Sequence, residues 1–289
     1  MAENEPLAKV IDPVRADFEK EGLVYRENVV YGNESSRQVL DCFYPRENNG
    51  SMPAVIWIHG GGWSDENLTK RYRPEMELVQ LAKMGFFIAS VEYRLLQHAV
   101  FPAQIQDCKC AVRYLRAHAG ELGIDPACIG AWGESAGGHL AALLGTAGRV
   151  EEFEGNGGWK EYSSEIQAVC PWYAPYDMLE DARQSEGDPN SLSQRLFGGS
   201  ILEKEDLIRK ASPIFYAGKK LPPFLVMHGD SDRLVPLSQT ENFYAAARKA
   251  GNPIEKIVVP GQGHGFFEGA SYYGAIFDFF RRTLQGRPV

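Results

Sequence analysis

"GESAGG", residues 133–138, is the stretch that decides the fold. Before it runs "CIGAWG" (128–133), a short apolar segment that suits a buried strand. After it runs "AGGHLAALLG" (136–145), small and apolar residues that suit a helix. Ser135 therefore stands at a strand-to-helix turn, with Gly133 and Gly137 two places away on either side. Such a turn is tight, and glycine tolerates the close approach of neighbouring backbone. Its strain lifts a hydroxyl clear of the sheet. The amides at the start of the helix then face any negative charge that develops there. Ser135 is a candidate nucleophile, and the Ala136 N–H a candidate oxyanion donor.

Working outward, apolar β-branched runs alternate with helix-like runs. "VIWIH" (55–59), "FFIASVEY" (86–93), "AVCPWY" (168–173), "FLVMHG" (224–229) and "KIVVPG" (256–261) read, like 128–133, as parallel strands buried on both faces. Segments 24–31 and 38–44 read as more exposed, antiparallel strands. Residues 103–119 carry Ile105, Cys108, Val112 and Leu115 on one helical stripe. Residues 238–250 open with Ser238 and Glu241 at capping-box spacing and end at Gly251. Strands alternating with helices imply an α/β class with a mostly parallel sheet. Two stretches, 148–165 and 177–212, break the alternation. They read as cap insertions over the carboxyl ends of the strands, where such sheets bind ligands, or as plain surface loops. Residues 1–22 are a further candidate for the cap.

The 289 residues suffice for a full hydrophobic core in one large domain. Charge of −8 and no clustered Lys/Arg stripe argue against a nucleic-acid partner. No apolar run approaches the roughly 20 residues that span a bilayer, so no membrane partner is expected. The N-terminal stretch is charged and lacks an apolar leader core, which gives a cytoplasmic expectation. Five cysteines, an odd number without metal-site spacing, read as scattered buried thiols.

A serine hydroxyl is a poor nucleophile until a base takes its proton. Of six histidines, His264 lies in "GQGHGF" (261–266), a glycine-rich loop after the last strand. That loop lets an imidazole swing over the active edge. His59 and His228 end strands, His98 lies in a loop, His118 near a helix end, and His139 one turn beyond Ser135. These five read as structural. The acid that orients the base should follow another strand, and "HGDSDRLVP" (228–236) offers Asp230 and Asp232. Asp232 lies deeper in the loop, while Asp230, directly after glycine, suits the turn itself. The three glycines in a row of "HGGGW" (59–63) leave backbone N–H groups bare as further oxyanion donors. No G-K-[ST] follows, which argues against a phosphate loop.

In order and spacing these motifs, with "VEYRL" (91–95) and "FPAQIQDC" (101–108), resemble the α/β-hydrolase superfamily. The resemblance is to esterases related to hormone-sensitive lipase and to the bifunctional acetylxylan/feruloyl esterase group. It covers roughly residues 25–285. It implies an eight-stranded sheet with its second strand antiparallel, and Ser135, His264 and Asp232 as nucleophile, base and orienting acid. Gly61, Gly62 and Ala136 are the implied oxyanion donors. No metal or cofactor is implied. The "VEYRLLQHAVFPAQ" stretch departs from the "DYRLAPEHPFPA" of the lipase-like branch, and "HGGGW" is commoner in the carbohydrate- and small-ester branch. Trp63, Trp172 and Phe266 are candidate pocket walls for a sugar or phenolic face, with core positions the alternative.

The expected activity is hydrolysis of short-acyl or aromatic esters, with acetyl or feruloyl esters of plant carbohydrates as the favoured substrates. An arylformamidase would carry the same triad. A prolyl-oligopeptidase-type enzyme would need a propeller domain for which 289 residues leave no room. Non-catalytic members of the fold typically lose the serine or the histidine, and both stand here. Oligomeric state has no signature in the sequence.

Overall fold

Each apolar run of the sequence becomes a strand in the computed structural model, which describes residues 18–48, 50–71, 77–185, 187–265 and 270–286. The strands are β1 (Leu23–Val30), β2 (Val39–Pro45), β3 (Met52–Ile58), β4 (Phe87–Val91), β5 (Ile124–Glu134), β6 (Ala168–Trp172), β7 (Phe224–Gly229) and β8 (Ile254–Val259). They form one sheet in the order β1-β2-β4-β3-β5-β6-β7-β8. Only β2 is reversed: it pairs antiparallel with β1 and β4, while β4, β3, β5, β6, β7 and β8 pair in parallel. This is the α/β-hydrolase arrangement that the sequence predicts.

Side chains alternate across a strand, and a central strand covered on both faces is apolar throughout. On β3, Ala54, Ile56 and Ile58 enter one core, while Val55 and Trp57 enter the other. The helices that cover the first face include α2 (Ala103–Ala117), α4 (Ser135–Thr146) and α8 (Ser238–Lys249). The second face is covered by α1 (Glu77–Lys83) through Leu78 and Leu81, and by α9 (Ala270–Leu284) through Ile276, Phe279 and Phe280. A four-residue helix, α3 (Ala119–Leu122), leads into β5. Four of the five cysteines are buried and all are free thiols. No described helix is long and apolar enough to cross a membrane.

The cap expectations divide. Residues 1–17 lie outside the described residues. From Phe18 onward the chain packs on the first strands, Phe18 stacking on Tyr25 at 5.0 Å and lying 4.5 Å from Phe43. Residues 148–165 are held on α2, because Glu154 pairs with Lys109 and Arg113, and Trp159 donates its indole N–H to Tyr31 O at 2.9 Å. Residues 177–212 fold into α5 (Met178–Gln184), α6 (Leu192–Phe197) and α7 (Ile201–Lys210). The capping box also moves. Ser238 is the first residue inside α8, which Leu237 caps without a side-chain bond, and Glu241 reaches to Lys256 instead. The box forms at α7, where the Ser200 amide meets Glu203 Oε2 at 3.0 Å.

Candidate active site

Because β3 and β5 to β8 run the same way, their carboxyl ends share one edge, and the loops leaving them meet there. The turn from β5 into α4 holds Ser135 at φ +51°, left-handed backbone that a non-glycine residue adopts only under strain. The flanking glycines let this turn press onto β3. A β-carbon on Gly137 would sit 2.1 Å from the carbonyl oxygen of Ile58, and one on Gly133 would sit 2.4 Å from that of Gly137. Gly138 is equally tight, at 2.6 Å from Trp172 O. The "GESAGG" pattern is thus the imprint of a backbone-to-backbone contact that leaves no room for side chains.

The loops after β7 and β8 bring Asp232 and His264 to the serine. His264 Nδ1 lies 2.7 Å from Asp232 Oδ2, and its Nε2 lies 2.9 Å from Ser135 Oγ. A carboxylate only accepts, so Nδ1 carries the proton and Nε2 is left to accept from the serine hydroxyl. Asp232 Oδ1 accepts from the amides of Leu234 and Val235 at 2.9 and 3.0 Å. The Asp232 side chain has no exposed surface, whereas that of His264 is 18% exposed, so the imidazole is reachable and the carboxylate is not. Burial alone raises the Asp232 carboxyl. Hydrogen bonds from His228, His264 and the Val235 amide outweigh it and hold the group well below the usual carboxylate range. Asp230 ties the two loops together by accepting from the Gly261 amide at 2.7 Å.

Gly61 and Gly62, at φ +99° and +56°, turn the loop after β3 and line the cleft at Ser135. The cleft in front of Ser135 has a volume of ≈ 320 Å³, and Gly60, Gly61, Asp65, Leu68, Tyr173 and Leu234 are among the residues that line it. Ala136 follows the serine as a buried residue in the first turn of α4, where backbone amides have no intrahelical partner.

Two of the aromatic pocket candidates lie elsewhere. Trp63, at φ +55°, is 4% exposed and stands edge-on to His139 at 5.2 Å. Trp172 ends β6 and packs edge-on to Trp57 and Trp132, at 6.0 and 4.9 Å, inside the second core. Phe266 lies outside the described residues. Among the described residues, the aromatic wall of the cleft is Tyr173, the residue directly after β6. At φ +33° its ring stands edge-on to His264 at 4.6 Å and its hydroxyl donates to the buried Glu134 carboxylate. Its signal in the sequence was its place at the end of the 168–173 run, on the active edge.

Three other histidines are held by backbone carbonyls, and His98 is exposed in a turn. His59 Nδ1 meets Gly60 O at 2.9 Å, His118 Nδ1 meets Tyr114 O at 3.0 Å, and His139 Nε2 donates to Ala211 O at 2.7 Å. His228 is different, since its Nε2 lies 3.2 Å from Asp232 Oδ2. Tyr93 donates to His59 O at 2.9 Å and Asp107 is clamped by Arg94, so both are structural.

Comparisons with known proteins agree with this architecture. A structure described as a truncated carbohydrate esterase from gut microbiota superposes with a TM-score of 0.81 at 32% identity, covering 90% of this chain and 95% of that one. A bifunctional GH43-CE protein of Bacteroides eggerthii gives 0.82 at 33% identity, over 89% of this chain and 38% of that one. Esterase LipQ of Mycobacterium tuberculosis is 30% identical over 242 residues, 83% of this chain. This chain spans 56% of that esterase's own length. The BD-FAE family matches residues 40–247, and the chain belongs to this family of hormone-sensitive-lipase-like α/β-hydrolases.

Proposed function

We propose that this protein is a serine carboxylesterase that hydrolyses short-acyl or aromatic esters through an acyl-enzyme. The observation that carries the reading is the chain of contacts from Ser135 Oγ to His264 Nε2 at 2.9 Å and from His264 Nδ1 to Asp232 Oδ2 at 2.7 Å. His264 takes the serine proton as Oγ attacks the carbonyl, and Asp232 holds the ring and stabilises the imidazolium. The amides of Gly61, Gly62 and Ala136 receive the developing oxyanion; one such donor is typically worth about 100- to 1,000-fold in rate. His264 then protonates the leaving alcohol. Water, activated by the same histidine, releases the acid.

Acetyl or feruloyl esters of plant carbohydrates are the proposed substrates. The likeness to a carbohydrate esterase and to a GH43-CE protein supports this choice. So does a cleft of ≈ 320 Å³ walled by Asp65, Leu68 and Leu234, a size for a small acyl group beside a polar alcohol. Residues 177–212 serve as the cap. A β-carbon on Gly62 would meet Leu192 Cδ2 at 3.2 Å, so α6 reaches the oxyanion loop.

Ser135→Ala is expected to abolish p-nitrophenyl acetate turnover in a folded protein. A variant that keeps more than about a hundredth of the wild-type rate overturns the assignment, because loss of the nucleophile costs far more than that. A rate panel of p-nitrophenyl esters, feruloyl esters, acetylated xylan and N-formyl arylamines then reads the substrate class. Faster cleavage of the formamides would move the protein to the amide-hydrolase reading.

A further inference from the structure

The acid of the proposed triad has a second histidine partner. His228, the penultimate residue of β7, is fully buried. Its Nε2 lies 2.9 Å from Val235 O and 3.2 Å from Asp232 Oδ2, the same oxygen that receives His264 Nδ1. Both atoms opposite Nε2 are acceptors, so a bare nitrogen there would face two lone pairs. Nε2 therefore carries a proton. On the other side of the ring, Nδ1 lies 2.7 Å from the hydroxyl of Thr240, itself fully buried on α8, which fixes the ring from behind.

We infer that His228 is a positioning residue for the triad: its Nε2–H shares Oδ2 with His264, fixing the carboxylate in place and moderating how strongly it pulls on the catalytic imidazole. The inference rests on the esterase reading above. Three hydrogen bonds then hold Asp232, from His264 on Oδ2 and from the Leu234 and Val235 amides on Oδ1, and the His228 N–H, divided between Val235 O at 2.9 Å and Oδ2 at 3.2 Å, is the fourth group to converge on it. The titratable groups that face the carboxylate are His228 from β7 and His264 from the loop after β8. Tyr173, after β6, stands against His264 and hands its hydroxyl to Glu134. With the His228 N–H removed, more negative charge stays on Oδ2. That charge holds a proton on His264 more tightly and leaves the carboxylate freer to turn.

Two measurements test this. In wild-type protein with ¹⁵N-labelled histidine, the His228 ring is expected with its proton on Nε2; a bare Nε2 overturns the inference, with no variant needed. His228→Leu is then compared with His228→Gln, whose amide restores one N–H at the same reach. In His228→Leu, kcat is expected to fall about 10- to 100-fold, the scale of a misplaced catalytic group, with KM nearly unchanged. The acid limb of kcat/KM is expected to move up by roughly half a pH unit to one unit. The low-field proton resonance of the His264–Asp232 hydrogen bond moves further downfield. His228→Gln should return all three toward wild type. A folded His228→Leu variant with an unmoved acid limb and resonance overturns the inference. The resonance and the ¹⁵N spectrum need no turnover, whereas a wild-type protein inert toward every ester fails the esterase reading itself.

Discussion

At Gly137 a methyl group has nowhere to go. Its β-carbon would lie 2.1 Å from Ile58 O and 2.4 Å from His59 O, both backbone atoms of the β3 strand and loop that no rotamer change can move aside. Gly137→Ala is expected to cost about 3 kcal/mol or more, the upper range for overpacking, read by urea denaturation. Gly120 on α3 has nothing within 4 Å, so Gly120→Ala should be neutral or stabilise by up to about 1 kcal/mol. Equal losses at the two sites would refute the steric account of the turn. Legibility at this scale follows the same logic. Ser135, Asp232 and His264 could be picked out because the proposed chemistry needs those residue types on loops after three different strands. Trp63 and Trp172 could not be placed, since composition says that aromatic rings are present and nothing about the direction they face. Tyr173 takes the place in the cleft because it sits one residue past the end of β6, where the chain leaves the core.

Among the elements, the two S-x-x-E sequences show where local pattern stops being sufficient. Ser200-Ile-Leu-Glu203 and Ser238-Gln-Thr-Glu241 are equivalent as strings, yet only the first closes a capping box. The difference lies in what precedes and what is near. The second helix starts one residue earlier, at a cap supplied by Leu237, and Glu241 finds Lys256 on β8. A lysine beside a glutamate across a strand–helix contact competes with a backbone amide, and a tertiary neighbour is invisible in a window of four residues. Ser200→Ala should therefore lower stability by about 1 kcal/mol, while Ser238→Ala changes it by less than about half that. Chemical denaturation of the two variants measures both, and equal effects would mean that the box at α7 does not stabilise the protein. The strands were readable for the opposite reason. The runs of β3, β4, β6 and β7 are buried throughout, so no neighbour could change the reading, whereas β8, expected to be buried on both faces, is the edge strand, with Glu255 exposed and Lys256, Ile257 and Val258 half-buried.

At the scale of the whole molecule, the segment 177–212 and the parallel sheet are joined through buried polar atoms, and one of them titrates. His139 on α4 donates Nε2–H to Ala211 O at 2.7 Å, while inside the segment Ser212 Oγ accepts from the Met178 amide at 3.0 Å. Gln239 on α8 accepts from the Tyr176 and Asp177 amides. No pattern in the sequence announces these joints, because each links positions more than thirty residues apart. His139 is fully buried and its Nδ1 has no hydrogen-bond partner, so a second proton on the ring would be both desolvated and unpaired. Burial pushes the imidazole down to about 4, against a smaller opposing effect of the Ala211 carbonyl. The sign of the consequence follows from proton counting. Between the unfolded value of about 6.5 and the folded value of about 4, the unfolded chain binds the extra proton and the folded protein does not. The stabilisation is complete above pH 6.5 or so and is lost as the pH falls through that window, by about 3 kcal/mol in all. His139→Gln keeps an N–H for Ala211 O and removes the titration. Unfolding free energies of wild type and variant, measured in urea from pH 7 to pH 4, should converge by about that amount as the pH falls. Parallel curves across the window would mean that His139 is already protonated, or not desolvated, in the folded protein. The link between α4 and the 177–212 segment would then not be the acid-sensitive joint described here.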